Sequence, residues 1–110
     1  MTNAKTAIAV LGALGDPSRR AIFEQLAGGP SAVNEIAAKM TVGRSAVSQH
    51  LRVLKEAGLV KDTADGTRRI YRLDPRGIGL IRDWLDSLWA ESLQAFADYA
   101  DDQTELENPK

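Results

Sequence analysis

The hydrophobic positions fall into several helical repeats, one alternating stretch and a final long helical repeat. Ile8 and Leu11, with Val10 and Leu14, mark one side of a weak helix over residues 4 to 14, interrupted by Gly12. Asp16-Pro17 signals a new helix. Aspartate accepts from the free amides of a first turn, and proline there lacks only an N–H that would have no partner. That helix runs from Pro17 to about Ala27, turns Ile22, Phe23 and Leu26 inward, and ends at Gly28-Gly29-Pro30. A shorter helix covers about Val33 to Met40, with Val33, Ile36, Ala37 and Met40 on its buried side.

Residues 43 to 58, GRSAVSQHLRVLKEAG, carry two stripes at helical spacing. Val47, Leu51 and Leu54, with the neighbouring Ala57, require burial. Ser45, Ser48, Gln49 and Arg52 form the other stripe, which holds hydroxyls, an amide and a guanidinium but no carboxylate. Such groups donate hydrogen bonds to phosphate oxygens and base edges. Only Thr41-Val42-Gly43 separates this helix from the preceding one, so the pair reads as a helix-turn-helix. Gly58 stops the second helix, because glycine accepts the left-handed conformation at a C-terminal cap.

Beyond Gly58 the pattern alternates. Residues 59 to 63 and 68 to 73 flank Ala64-Asp65-Gly66-Thr67, and an Asp-Gly step between β-prone runs predicts a hairpin. A basic hairpin directly after a helix-turn-helix is a wing. Asp74-Pro75 then restarts a helix expected to run from about residue 75 to 101. Its apolar surface of Ile78, Ile81, Trp84, Leu85, Leu88, Trp89, Leu93 and Phe96 is too wide for a solitary helix, which points to burial against another subunit. The predicted architecture is one mostly α domain with a small β-hairpin over residues 1–102. Its wing is at about 59–73, and a polar tail follows at 103–110.

Charge sharpens this picture. The net charge is −1, yet residues 39 to 76 hold nine bases and four acids, a local balance of +5. Residues 83 to 110 hold eight acids and one base, a balance of −7. One part of the chain attracts a polyanion and the other repels it. No apolar run approaches the roughly 20 residues of a membrane span, and the N-terminus lacks a signal-peptide pattern. The expectation is therefore a cytoplasmic protein without membrane contact. The chain has no cysteine and one histidine, and it lacks a glycine-rich phosphate loop and a paired-carboxylate motif. No catalytic residue, metal ligand set or cofactor is predicted. Asp83, Asp86 and Glu91 would offer only hard oxygen ligands and read as a wet helix face.

The segments ALGDPSRRAIFEQLA, SAVSQHLRVLKEAGLV and GTRRIYRLDP together resemble the ArsR/SmtB family of bacterial winged-helix repressors, over roughly residues 10 to 76. The resemblance implies a homodimer pairing its first and last helices across a two-fold axis and binding a palindromic operator on double-stranded DNA. The long Trp-containing last helix is similar to the branch without metal sites. Two departures stand out: Gly43 replaces the usual hydroxyl cap of the reading helix, and Ala32 stands where a serine would complete a capping box with Glu35.

On this reading the DNA-contacting candidates are Arg44, Ser45, Ser48, Gln49, His50, Arg52, Lys55, Arg68 and Arg69. Ser48 and Gln49 suit base edges, whereas Arg44, Ser45 and Arg52 suit phosphates. His50 lies at the edge of the buried stripe, and Lys55 lies a turn too far along to do more than steer. Alternation sends Arg68 and Arg69 to opposite faces, so one of the two reaches DNA. Arg19 and Arg20 are assigned to Glu24 or a helix end. Candidates for the dimer interface are Ile8, Leu11, Ile81, Trp84, Leu85, Leu88, Trp89 and Phe96. The function that follows is a homodimeric repressor that does not respond to metal. The alternative is a protein-interaction module with a vestigial DNA face. An organic effector, a protein partner and control by concentration alone are all open.

Overall fold

The computed structural model describes residues 4–107. Its first helix, α1 (Ala4–Ala13), turns small residues inward: Ala7, Val10 and Ala13 are buried, whereas Ile8 is 58% exposed. Ile8 is thus left outside the face that Val10 occupies. The second helix, α2 (Pro17–Ala27), starts as the Asp-Pro step implies, with an Asp16 carboxylate oxygen accepting from the Arg19 N–H at 3.1 Å. Arg19 and Arg20 then reach back to the end of α1. Arg19 Nε donates to the Ala13 carbonyl at 2.6 Å, and an Arg20 guanidinium nitrogen donates to those of Leu14 and Gly15 at 3.1 Å. Ala13 is the last residue of α1 and Leu14 and Gly15 follow it directly, so the arginines act at a helix end.

The next helix, α3 (Val33–Ala38), is two residues shorter than its apolar pattern suggests. At its start half a capping box survives: the Glu35 carboxylate accepts from the Ala32 N–H at 2.8 Å, while the Ala32 methyl returns nothing. The reading helix, α4 (Arg44–Glu56), begins after Gly43, whose backbone is extended and whose missing side chain gives no cap. Val47, Leu51 and Leu54 of α4 are fully buried and meet Val10, Ile22, Leu26 and Ile36 in one core.

The exit from α4 fixes everything that follows. Gly58 has φ +81, the Leu59 N–H donates to the Leu54 carbonyl at 2.9 Å, and the Gly58 N–H donates to Lys55 at 3.0 Å. This is a Schellman motif, and Leu54 and Leu59 are both buried as such a motif favours. The hairpin consists of β2 (Val60–Asp65) and β3 (Arg68–Leu73). Its strands run to Asp65 and Arg68, so the first continues two residues further into the turn than alternation suggests, leaving Gly66-Thr67 as the loop. Gly66 has φ +64 at the first loop position, where a type II′ turn requires glycine. A third strand, β1 (Ser31–Ala32), pairs with β3 and makes the order β1-β3-β2. A two-residue strand has too little pattern to be read from sequence.

The last helix, α5 (Pro75–Glu107), has 33 residues and is roughly 50 Å long at the standard rise. It continues past the expected end near residue 101, so residues 103–107 are helical rather than a loose polar tail. Residues 108–110 lie outside the described residues. Asp74 is buried at its start and accepts the Arg76 N–H at 3.0 Å, and the Arg76 guanidinium folds back onto the same carboxylate at 2.7 Å. Three residues after Asp74 the Gly77 N–H donates to the Gly58 carbonyl at 3.1 Å. A Cβ on Gly77 would lie 2.3 Å from that oxygen, so the contact requires glycine. Beyond it α5 packs on α1 and then projects, giving extents of 76 × 29 × 22 Å and a radius of gyration of 20.3 Å. A compact chain of this length would have about 13 Å.

Gly77→Ala is expected to lower stability by roughly 1–3 kcal/mol through overpacking against backbone. Gly79→Ala, where an added methyl meets open space, is expected to raise it by about 0.5–1 kcal/mol. Thermal melts of both variants test the pair, and equal behaviour would remove the special role of Gly77.

Candidate nucleic-acid interface

Burial of Val47, Leu51 and Leu54 fixes the rotation of α4, and the opposite stripe faces outward as a consequence. Arg44, Ser45, Ser48, Gln49 and Arg52 are exposed. None of the five side chains has a partner among the described residues. They form one row of donors over about two and a half turns of helix.

The other four candidates are engaged within the protein. His50 is half-buried, with Nδ1 3.9 Å from an Asp16 carboxylate oxygen. Lys55 Nζ lies 2.8 Å from one oxygen of Asp62, and an Arg69 guanidinium nitrogen lies 3.1 Å from the other. Arg68 reaches the opposite way, to Glu35 of α3 at 2.9 Å. Strand register explains the division. Val60, Asp62 and Ala64 share a face of the sheet with Leu73, Tyr71 and Arg69, whereas Arg68 lies on the other.

Asp62 and Glu35 were not apparent as functional residues from the sequence. For Asp62 a signal exists: it follows Val60 at the strand period and so occupies an inward position. The pairing of Glu35 with Arg68 depends on a fold contact across 33 residues and has no local signal.

The carboxylates of Asp62, Asp16 and Asp74 are held below the usual range. For Asp62 the Lys55 hydrogen bond acts first, with the charges of Lys55 and Arg69 added, against burial. For Asp16 the main cause is the Arg19 N–H. For Asp74 the Arg76 side-chain hydrogen bonds lead, and the value falls to about 2. Between the wing and the N-termini of α3 and α4 lies an open groove of about 410 Å3, lined by Asn34, Arg44, Thr67, Arg68 and Arg69 among others. A smaller depression of about 240 Å3 lies between Arg19, Gln49, His50 and Arg52.

An exposed donor row on the second helix of a helix-turn-helix, followed by a basic hairpin, defines a winged helix-turn-helix regulator. Residues 16–62 match the family described as bacterial regulatory protein, arsR family. HTH-type transcriptional regulator Rv2034 of Mycobacterium tuberculosis (strain ATCC 25618 / H37Rv) is 52% identical over 91 residues, which cover 83% of this chain and 85% of that protein. A crystal structure described as a possible transcriptional regulator for arsenical resistance has a TM-score of 0.67 at 44% identity, covering 81% of this chain and 93% of that one. The homodimeric winged helix-turn-helix DNA-binding domain Mb0332 from Mycobacterium bovis has a TM-score of 0.63 at 30% identity, covering 84% of this chain and 85% of that one. The chain belongs to the arsR family of bacterial regulatory proteins. It is a DNA-binding transcriptional regulator, not an enzyme.

The lowered value of Asp74 makes stability depend on acid. Its contribution is complete above the ordinary carboxylate value of 3.8 and is lost as pH falls through about 2. Asp74→Ala is expected to cost about 0.5–2 kcal/mol at neutral pH through loss of the cap. The variant should also lose less of its remaining stability than the parent between those two values. Melting curves across that window test this, and parallel curves would contradict it.

Proposed function

We propose that the protein is a homodimeric repressor that reads a palindromic operator with α4 and does not respond to metal. The observation that carries this reading is the row Arg44, Ser45, Ser48, Gln49 and Arg52, exposed and unpartnered on a helix whose other side is locked in the core. Ser48 and Gln49 address base edges in the major groove, and Arg44, Ser45 and Arg52 hold phosphates. Paired helices enter successive major grooves about 34 Å apart, and the wings lie toward the adjacent minor grooves. His50, Lys55, Arg68 and Arg69 contribute positive field, and reach DNA only by exchanging their carboxylates. Family membership weighs against a protein-interaction module with a vestigial DNA face.

The dimer reading is supported by α5. Leu85, Leu88, Trp89, Leu93, Phe96 and Tyr99 are all exposed, with Trp89 at 67% and Phe96 at 69%. Ile8 of α1 is exposed as well, whereas Leu11 and Trp84 are half-buried and Ile81 packs against the protomer's own core. A second copy of α5 is the cover such a surface needs. The Mycobacterium bovis neighbour, described as homodimeric, is consistent with it. Independence from metal is supported by the donor set: the chain has no cysteine, and its one histidine lies beside Asp16 at the reading helix. Among the described residues no helix is long and apolar enough to cross a membrane, which suits action on DNA in the cytoplasm. Release from DNA requires an effector with different affinities for two states, unless concentration alone controls occupancy.

Selection of bound fragments from genomic DNA tests the reading and identifies the operator. Gln49→Ala is expected to cost about 1–3 kcal/mol on the preferred base and to relax preference there. Retention of full preference would remove Gln49 from the reading face. Leu88→Glu with Trp89→Glu is expected to give a monomer in sedimentation, and a persistent dimer would place the interface elsewhere than α5.

A further inference from the structure

Asp62 is an inward-pointing carboxylate on β2, an edge strand of the sheet. Its side chain is 6% exposed, yet it sits among groups that belong to the DNA face. One oxygen takes the ammonium of Lys55 from the last turn of α4, and the other takes the guanidinium of Arg69 from β3. Both cations remain more than half exposed, at 56% and 61% of their side chains. Their charged groups are thus at the surface but already neutralised, whereas Arg44 and Arg52 have no such partner.

We propose that Asp62 is an internal substitute for a DNA phosphate. It occupies Lys55 and Arg69 so that neither joins the sequence-independent contact with the backbone, and it ties the wing to the reading helix. This rests on the DNA-binding reading above and concerns what limits that binding. A carboxylate holding two cations at hydrogen-bond distance competes directly with a phosphate oxygen, since both are anionic acceptors of the same geometry. Non-specific affinity comes almost wholly from neutralised phosphates, so removing two cations from the count weakens it without touching Ser48 or Gln49. Asp62 is therefore a positioning residue, and its effect appears in the salt dependence of binding.

The test uses the full chain and a fluorescent mixed-sequence duplex of roughly 30 base pairs, long enough for two half-sites one turn apart. Affinity is measured by anisotropy from about 50 to 200 mM salt for the parent, Asp62→Asn and Asp65→Asn. Asp65 is exposed at the wing tip, so its variant reports the effect of one lost negative charge alone. Asp62→Asn is expected to steepen the log–log salt slope by about 2 per protomer more than Asp65→Asn does, an additional loss across that range of roughly tenfold per protomer and roughly a hundredfold or more for a bound dimer. Equal slopes for the two variants would overturn the proposal and leave DNA binding by the parent intact. Absence of parent binding at the lowest salt would overturn both readings.

A measurement on the parent protein stands independently of how Asp62→Asn folds. With side-chain nitrogens labelled, addition of the same duplex is expected to shift the Arg52 Nε–H resonance and leave that of Arg69 in place. A shift of Arg69 as large as that of Arg52 would overturn the proposal.

Discussion

The contact between Gly58 and Gly77 is the constraint on which the arrangement of the functional parts depends. Gly58 ends α4 in the left-handed conformation, and its carbonyl then accepts the Gly77 N–H from the first turn of α5. Leu59 completes the Schellman motif of α4 and accepts, through its own carbonyl, the Asp74 N–H at 2.9 Å. The end of the reading helix, both ends of the hairpin and the start of the long helix thus meet within four residues of backbone. Neither a Cβ at Gly77 nor an ordinary residue at Gly58 fits this joint without strain. Backbone hydrogen bonds hold it together with the buried side chains of Leu54 and Leu59, so peptide geometry helps to set the angle between wing, reading helix and α5.

Electrostatics is layered over that frame. The segment from Lys39 to Arg76 reads as strongly basic, but the fold does not present all nine bases equally. Lys55 and Arg69 share Asp62, Arg68 takes Glu35, and Arg76 folds onto Asp74. Arg44 and Arg52, at the beginning and on the third turn of α4, are the cations left unpaired along the donor row. Lys39 and Lys61 are exposed outside these pairs as well, but Arg44 and Arg52 are the ones on the helix that carries Ser48 and Gln49. A count of basic residues measures the field of the region, whereas the ion pairs decide which of them are available at short range.

Much of this was legible in the sequence where one local rule sufficed. Asp16-Pro17 and Asp74-Pro75 mark helix starts, Gly58 marks an end, and the stripe of Val47, Leu51 and Leu54 gives the rotation of α4, all through chemistry contained within a turn or two. Legibility fails where a feature depends on distant partners. Strand β1 exists because β3 lies beside it, and two residues carry no period. In α1 the face that docks within the protomer is the one of Ala7 and Val10, while Ile8, a dimer-interface candidate from the sequence, is exposed. Arg68 and Arg69 looked equivalent apart from their faces; their different carboxylates come from α3 and from β2.

The acidic half of α5 does not oppose binding by the basic half of the domain, and the reason is distance. Asp98, Asp101 and Asp102 lie roughly 35–40 Å along the helix axis from Pro75, where α5 leaves the wing. That is several times the screening length of about 8 Å at physiological ionic strength. Over such a span each end of the molecule has its own field, and the overall charge of −1 describes neither. A polyanion is drawn to the end carrying Arg44 and Arg52, and the acidic helix disfavours an approach from its own end. The long helix thus separates two charges that would cancel in a compact domain of the same composition.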